Sequence, residues 1–131
     1  MEYNDLIRLA KESMRYAYAP YSRFQVGACL LAEDGTTYTG CNMENASYGA
    51  TICAERVAFG KAISEGRHSF QAIAIVCSED RKAYPCGICL QVISEFMKPE
   101  SIVILEDTSG MIQYQVKDLI PNAFHLGDTD A

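Results

Sequence analysis

Two short stretches of this chain carry residue types that could do chemistry together: Cys53-Ala54-Glu55 and Pro85-Cys86-Gly87-Ile88-Cys89. Cys86 and Cys89 are three apart, which puts both on one face of a helix. Each stretch opens a predicted helix. A thiol in a first helical turn lies beside unpaired backbone N–H groups and the positive end of the helix dipole. Both favour the thiolate, the form that binds metal. A third thiolate from Cys53, on a neighbouring helix, would complete three ligands. Three protein ligands leave the fourth position of a zinc ion open to water, as catalysis requires; structural sites are normally closed by four. No fourth ligand suggests itself, because Cys77 falls in an apolar strand and His68 and His125 fall in turn-like or terminal stretches. Glu55, two residues from Cys53, is close enough to carry protons beside the metal.

A C-x-x-C pair alone also serves redox centres and structural zinc knuckles. Either use would leave Cys53 and Glu55 without a task. Arg56 follows the carboxylate. Three thiolates give a zinc(II) site a net charge of about −1, which blunts its power to acidify water. A guanidinium hydrogen-bonded to the sulfurs would withdraw part of that charge; the alternative is a solvated helix Arg. Cys29, Cys41 and Cys77 read as small buried residues, and the two histidines as solvated.

The elements that must position these groups can be read from the pattern. Leu6, Leu9, Ala10, Met14 and Ala17 fall at helical spacing, with Asn4 as a cap and Pro20 as the stop. Phe24 to Leu31 reads as a strand, Asp34-Gly35 as a hairpin turn and Thr37 to Cys41 as the return strand. Cys53 to Glu65 turns helical, and Gly66 is placed to end it. Phe70 to Cys77 is a strand buried on both faces. A helix from about Pro85 to Met97 stops before Pro99. Ser101 to Leu105 and Ile112 to Val116 are the remaining strands, separated by a turn at Ser109-Gly110. Helices interleaved with apolar strands predict a three-layer α/β/α sandwich around a mixed, roughly five-stranded sheet.

Composition narrows the partners. The chain has 131 residues, 49% hydrophobic and 21% charged, which suits one catalytic domain spanning residues 1–131. It carries 11 basic and 17 acidic residues, a formal net charge of −6. Polynucleotide binding needs basic side chains against the phosphates, so this balance points away from nucleic acid and toward a small substrate. No apolar run is long enough to span a membrane. The acidic, polar start Met1-Glu2-Tyr3-Asn4-Asp5 lacks the features of a signal peptide, so a cytoplasmic location is expected. In that setting the six cysteines are better read as thiols and ligands than as three disulfides.

The Cys-Ala-Glu and Pro-Cys-x-x-Cys pair resembles the zinc deaminase pattern, in which three His or Cys ligands accompany a non-ligand Glu. Longer stretches sharpen the likeness: Tyr18-Ala19-Pro20-Tyr21-Ser22-Arg23-Phe24-Gln25-Val26-Gly27-Ala28, Gly40-Cys41-Asn42-Met43-Glu44-Asn45-Ala46-Ser47-Tyr48 and Leu119-Ile120-Pro121. With them the sequence resembles the small, homotetrameric cytidine deaminases over nearly its whole length. That resemblance implies one zinc per chain on Cys53, Cys86 and Cys89, with Glu55 as the catalytic proton carrier and Arg56 behind the sulfurs. It implies that Phe24 packs on the pyrimidine, that Asn42 and Glu44 bond the ribose hydroxyls, and that Ala54 and Glu55 hold the base edge. It further implies that Ala46, Tyr48 and Phe124 reach a neighbouring subunit's pocket. By composition alone, Phe24 and Phe124 would be core residues, and Asn42 and Glu44 a turn. The implied activity is deamination of cytidine and deoxycytidine to the uracil nucleosides, in pyrimidine salvage. A related cytosine compound such as blasticidin S is the nearer alternative substrate, and a non-catalytic zinc-stabilised module the remoter reading. One departure stands out: the family reads Cys-Arg-Gln where this chain has Cys89-Leu90-Gln91, which alters charge balance or a subunit contact near the site.

Overall fold

A computed structural model describes residues 1–126. In chain order the elements are α1 (Tyr3–Met14), β1 (Val26–Ala32), β2 (Thr37–Cys41), a 3₁₀ turn (Tyr48–Ala50), α2 (Ala54–Ser64), β3 (Phe70–Cys77), α3 (Gly87–Phe96), β4 (Met97–Asp107), β5 (Gly110–Gln115) and α4 (Val116–Leu119). The strands form one sheet in the order β2-β1-β3-β4-β5. Only β3 and β4 pair in parallel, joined by the α3 crossover; the other pairs are antiparallel. The expected mixed, five-stranded α/β/α arrangement is therefore what the chain adopts.

The three central strands are apolar on both faces because both are covered. Ala28 and Leu30 of β1, Ile73 and Ile75 of β3, and Val103 and Leu105 of β4 turn one way, onto Ala58, Phe59 and Ala62 of α2 and Ile93 of α3. Cys29, Leu31, Ala72, Ala74 and Ile104 turn the other way, onto Leu6, Ile7 and Ala10 of α1. Burying each large aliphatic side chain contributes about 1.5–3 kcal/mol. The side chains of β3 that face α1 are smaller than those that face α2 and α3, so the single helix on that side lies close to the sheet.

Strand direction then decides where the chemistry can sit. β2 and β3 both run antiparallel to β1, so they run the same way and leave the sheet at the same edge. There Cys41 lies opposite Gly27, and Cys77 opposite Val26. The next helices, α2 and α3, both start from that edge. A crevice outside the carboxyl ends of strands is where open α/β sheets bind ligands.

Four local expectations need correction. First, α1 is capped by Glu2, not Asn4, and the Glu2 N–H donates to Asp5 at 3.1 Å. Second, α1 stops at Met14, well before Pro20, so Ala17 lies outside it. The cause is tertiary: Tyr18 donates to Asn42 O at 2.9 Å and accepts from Glu44 N–H at 2.8 Å, which commits the backbone to an extended bridge. Third, β4 begins directly at Met97. Its partner register jumps from Phe70↔Met97 to Ala72↔Ile102, leaving Pro99 in an irregular stretch where a missing N–H costs no ladder bond. Fourth, Val116 opens α4 instead of ending β5, because the Gln115 N–H turns onto Asp118 at 3.2 Å.

The close approach of α2 to β2 holds Cys53 in place, and Gly40 permits it. A Cβ at Gly40 would lie 2.6 Å from Ala58 N and nearer still to the Ala54 carbonyl oxygen. Both are backbone atoms and cannot swing aside. Gly40→Ala is therefore expected to destabilise the fold by about 1–3 kcal/mol, the usual cost of overpacking. Urea unfolding checks this, and an unchanged midpoint would mean that the two elements can part without cost.

Candidate active site

Both helix starts deliver sulfur to the same place. Cys53 is the N-cap residue of α2 and Cys86 that of α3; both have extended backbone, and each carbonyl accepts the first helical bond. Cys89 lies three residues into α3 and is fully buried. The ligand atoms of Cys53, Cys86 and Cys89 all lie within 4.8 Å of one another, and this is the one such group of three among the described residues. A tetrahedral zinc with Zn–S of about 2.3 Å needs sulfurs about 3.8 Å apart, so small movements suffice.

The electrostatics also ask for a cation. The Cys53 thiol is drawn well below its usual range, first by a hydrogen bond from Cys89 and then by Arg56. Cys89 is pushed far above its usual range by holding that proton and by burial. One of the pair can ionise readily, but both cannot without added positive charge. Arg56 supplies part of it: Nη2 donates to Cys53 Sγ at 3.6 Å and to Thr51 O at 3.3 Å. Its Nε is buried without a partner, a donor left over for a second thiolate. Three soft donors and a guanidinium aimed at them fit a zinc ion bound as a tris-thiolate.

A cavity of about 330 Å³ opens over Cys53 and Cys86, with Cys89 buried behind them. Its floor includes Cys53, Ala54 and Glu55, and Glu55 is only 5% exposed. Burial pushes the Glu55 carboxyl up to about 7; its own backbone N–H pulls down, and the charge of Cys53 adds to the rise. A carboxyl near neutrality can both take and give protons.

The wall is built by the 18–26 and 42–44 segments. Asn42 is buried; its Nδ2 donates to Phe24 O at 2.8 Å, and its Oδ1 accepts from the Val26 N–H at 2.9 Å. This amide clamps the backbone on both sides of Gln25 and so sets where Phe24 stands. Glu44 accepts from the N–H groups of Tyr21 and Ser22 at 3.0 and 3.1 Å, and from the Ser22 hydroxyl. These bonds keep it ionised, led by the hydroxyl. They use three of the carboxylate's roughly four acceptor positions. Asn42 and Glu44 thus do shape turns, as composition suggests, and still face the cavity. Phe24 is a half-buried wall residue rather than core.

Three expected site residues are not brought to this cavity by their own chain. Ala46, Tyr48 and Phe124 are all exposed, Tyr48 by 77% and Phe124 by 67%. Tyr48 leans edge-on against Tyr21, with centroids 6.2 Å apart. The Phe124 carbonyl accepts from Gln91 Nε2 at 2.9 Å, which fixes the backbone and leaves the ring outward. A plain core role for Phe124 is thereby excluded. Leu90 packs partly buried against the core and does not line the cavity. His68 and His125 are exposed, and Cys29 is buried, whereas Cys41 and Cys77, expected to be buried as well, sit at the strand ends and are only partly so. Sequence reasoning passed over Thr51, Arg81, Ala83 and Tyr84, which complete the wall. The one signal for the last three was their place in the stretch leading into Pro85-Cys86.

Residues 1–106 match the family model described as the cytidine and deoxycytidylate deaminase zinc-binding region. The chain belongs to this deaminase family. A cytidine deaminase of Sporosarcina psychrophila is 48% identical over 129 residues, covering 98% of this chain and 95% of that one. The crystal structure of cytidine deaminase from Burkholderia pseudomallei superposes with a TM-score of 0.90 at 43% identity, covering 95% of this chain and 100% of the other. A more distant family relative is the blasticidin-S deaminase of Bacillus cereus, 28% identical over 125 residues, 89% of this chain and 88% of that one.

As a member of a zinc-binding deaminase family, the chain has its three thiols placed to hold one metal ion. Cys89→Ala removes the fully buried donor, and two ligands seldom retain zinc. Zinc content of the purified variant is expected to fall below about a fifth of wild type. Undiminished zinc by elemental analysis would refute the cluster as the metal site.

Proposed function

We propose that this chain hydrolyses the exocyclic amino group of free cytidine and deoxycytidine, yielding uridine or deoxyuridine and ammonia. The observation that carries the reading is a buried carboxyl, Glu55, beside three converging thiols on the floor of a nucleoside-sized cavity. Cys53, Cys86 and Cys89 would hold one zinc per chain, whose chemistry is to lower the pKa of a bound water toward ~7. Glu55 accepts a proton from the attacking water and delivers it to N3 of the pyrimidine. It then passes a proton to the amino group leaving C4. Low water access on the floor strengthens each of these charge–dipole interactions. Arg56, bonded to Cys53, holds sulfur charge away from the reacting atoms.

The pyrimidine lies against Phe24, its edge held by the Ala54 backbone and Glu55. Asn42 keeps one amide hydrogen free after clamping the backbone, and Glu44 one acceptor position. These are the groups available for ribose hydroxyls. One catalytic domain over residues 1–131 is the proposed unit, of which residues 127–131 lie outside the described ones. The exposed rings of Tyr48 and Phe124, with Ala46, support a homotetramer in which each cavity is finished by neighbours. We place the enzyme in pyrimidine salvage in the cytoplasm, a reducing setting consistent with six free cysteines. No described helix is long and apolar enough to cross a membrane. The net charge of −6 supports a small free substrate over a polynucleotide.

The direct test is ammonia release from cytidine, deoxycytidine and blasticidin S by the purified protein. Turnover is expected on the first two; turnover of blasticidin S alone would replace the reading. Glu55→Gln preserves shape while removing the proton acceptor. It should retain zinc and lose at least ~10²-fold in kcat. Turnover within a few-fold of wild type would assign the proton to another group.

A further inference from the structure

The segment between β3 and α3 is tied down residue by residue. Asp80 accepts from the Thr108 N–H at 3.0 Å and from its hydroxyl at 2.9 and 2.8 Å. Lys82 Nζ donates to Asp107 at 2.9 Å and to Ser109 at 3.2 Å. The Tyr84 and Tyr114 hydroxyls share a 2.7 Å bond. The Cys77 thiol donates to the carbonyls of Glu79 and Arg81, at 3.4 and 3.3 Å. Residues 80, 82 and 84 thus bond to the β4–β5 hairpin. Arg81, Ala83 and Tyr84 line the cavity. With Asp80 and Lys82 on either side of it fixed to the hairpin, Arg81 is held at the cavity.

Arg81 is the only basic residue lining that cavity among the described residues. Its guanidinium carbon lies 4.5 Å from the centroid of the Phe24 ring, a cation–π distance. Its Nε donates to Glu79 at 2.8 Å. The side chain is 59% exposed, so it stands at the rim and not on the floor. With the base edge on the floor, sugar substituents lie toward this rim.

We propose that Arg81 is a specificity-determining residue that sets the charge preference of the cavity mouth. It favours nucleosides with a neutral or anionic substituent and disfavours cationic ones; Glu79, which shares the guanidinium, and the ionised Glu44 of the same wall temper the effect. The proposal rests on the deaminase reading for the orientation of the ligand. A purely packing role for Arg81 would act alike on ligands of every charge.

Three uracil nucleosides that cannot be deaminated serve as probes: uridine, 5′-amino-5′-deoxyuridine and uridine 5′-monophosphate. Their dissociation constants are read by equilibrium titration of the zinc-loaded protein at low ionic strength, for wild type, Arg81→Gln and Glu79→Gln. Relative to uridine, Arg81→Gln should tighten the amine and weaken the phosphate by about two- to fivefold each, the scale of a partly exposed charge pair. Glu79→Gln should shift both ratios the opposite way, and about 1 M salt should flatten all the differences. Equal shifts for all three ligands, no shift in either variant, or charged probes bound by none of the proteins would overturn the assignment. Failure of the wild type to release ammonia from cytidine would instead overturn the deaminase reading, and the titrations judge Arg81 regardless.

Discussion

Three thiols stand closer together here than three thiolates can without a cation between them. That constraint organises the surrounding structure. It requires two helices to start at one edge of the sheet, which β2 and β3 achieve by flanking β1 in the same direction. It requires positive potential, which comes from the helix N-termini and from Arg56. It also leaves Glu55, next but one to Cys53, in a pocket dry enough to bring its carboxyl near neutrality. The same burial leaves Cys89 a neutral thiol bonded to Cys53 until a cation takes the place of its proton.

Much of this was legible in the sequence because it depends on local pattern. Thr37–Cys41 and Phe70–Cys77 are strands over the expected residues, the first because it alternates after the Asp34-Gly35 turn and the second because its apolar run admits little else. The two helix starts fell within a residue or two of Cys53 and Pro85, and these fixed the thiol cluster. What could not be read locally was set by distant partners. α1 ends at Met14 because Tyr18 pairs with a segment more than twenty residues later, and no helix-stop signal marks that event. The bonds that turn Asn42 and Glu44 into clamps for residues 21–26 also cross the chain.

The 78–84 segment shows the limit most clearly. Ser78-Glu79-Asp80-Arg81-Lys82 is a polar, charged stretch to which sequence reasoning gave no role. In the fold, its alternate side chains are consumed by the β4–β5 hairpin, and its one inward cation lies on Phe24. A polar loop becomes a wall because each charged group has a partner at a fixed register position. Tyr48 and Phe124 present the reverse case. Both rings lie exposed, although composition would assign Phe124 to the core; Tyr48 leans on Tyr21, and the Phe124 backbone accepts a bond from Gln91.

The central claim is that the three cysteines form an open metal site with a position left for water. X-ray absorption at the zinc edge of the purified protein tests it most directly. The account predicts three sulfurs at about 2.3 Å and one lighter atom at about 2.0–2.2 Å. A shell of four sulfurs, or one without three, would contradict it.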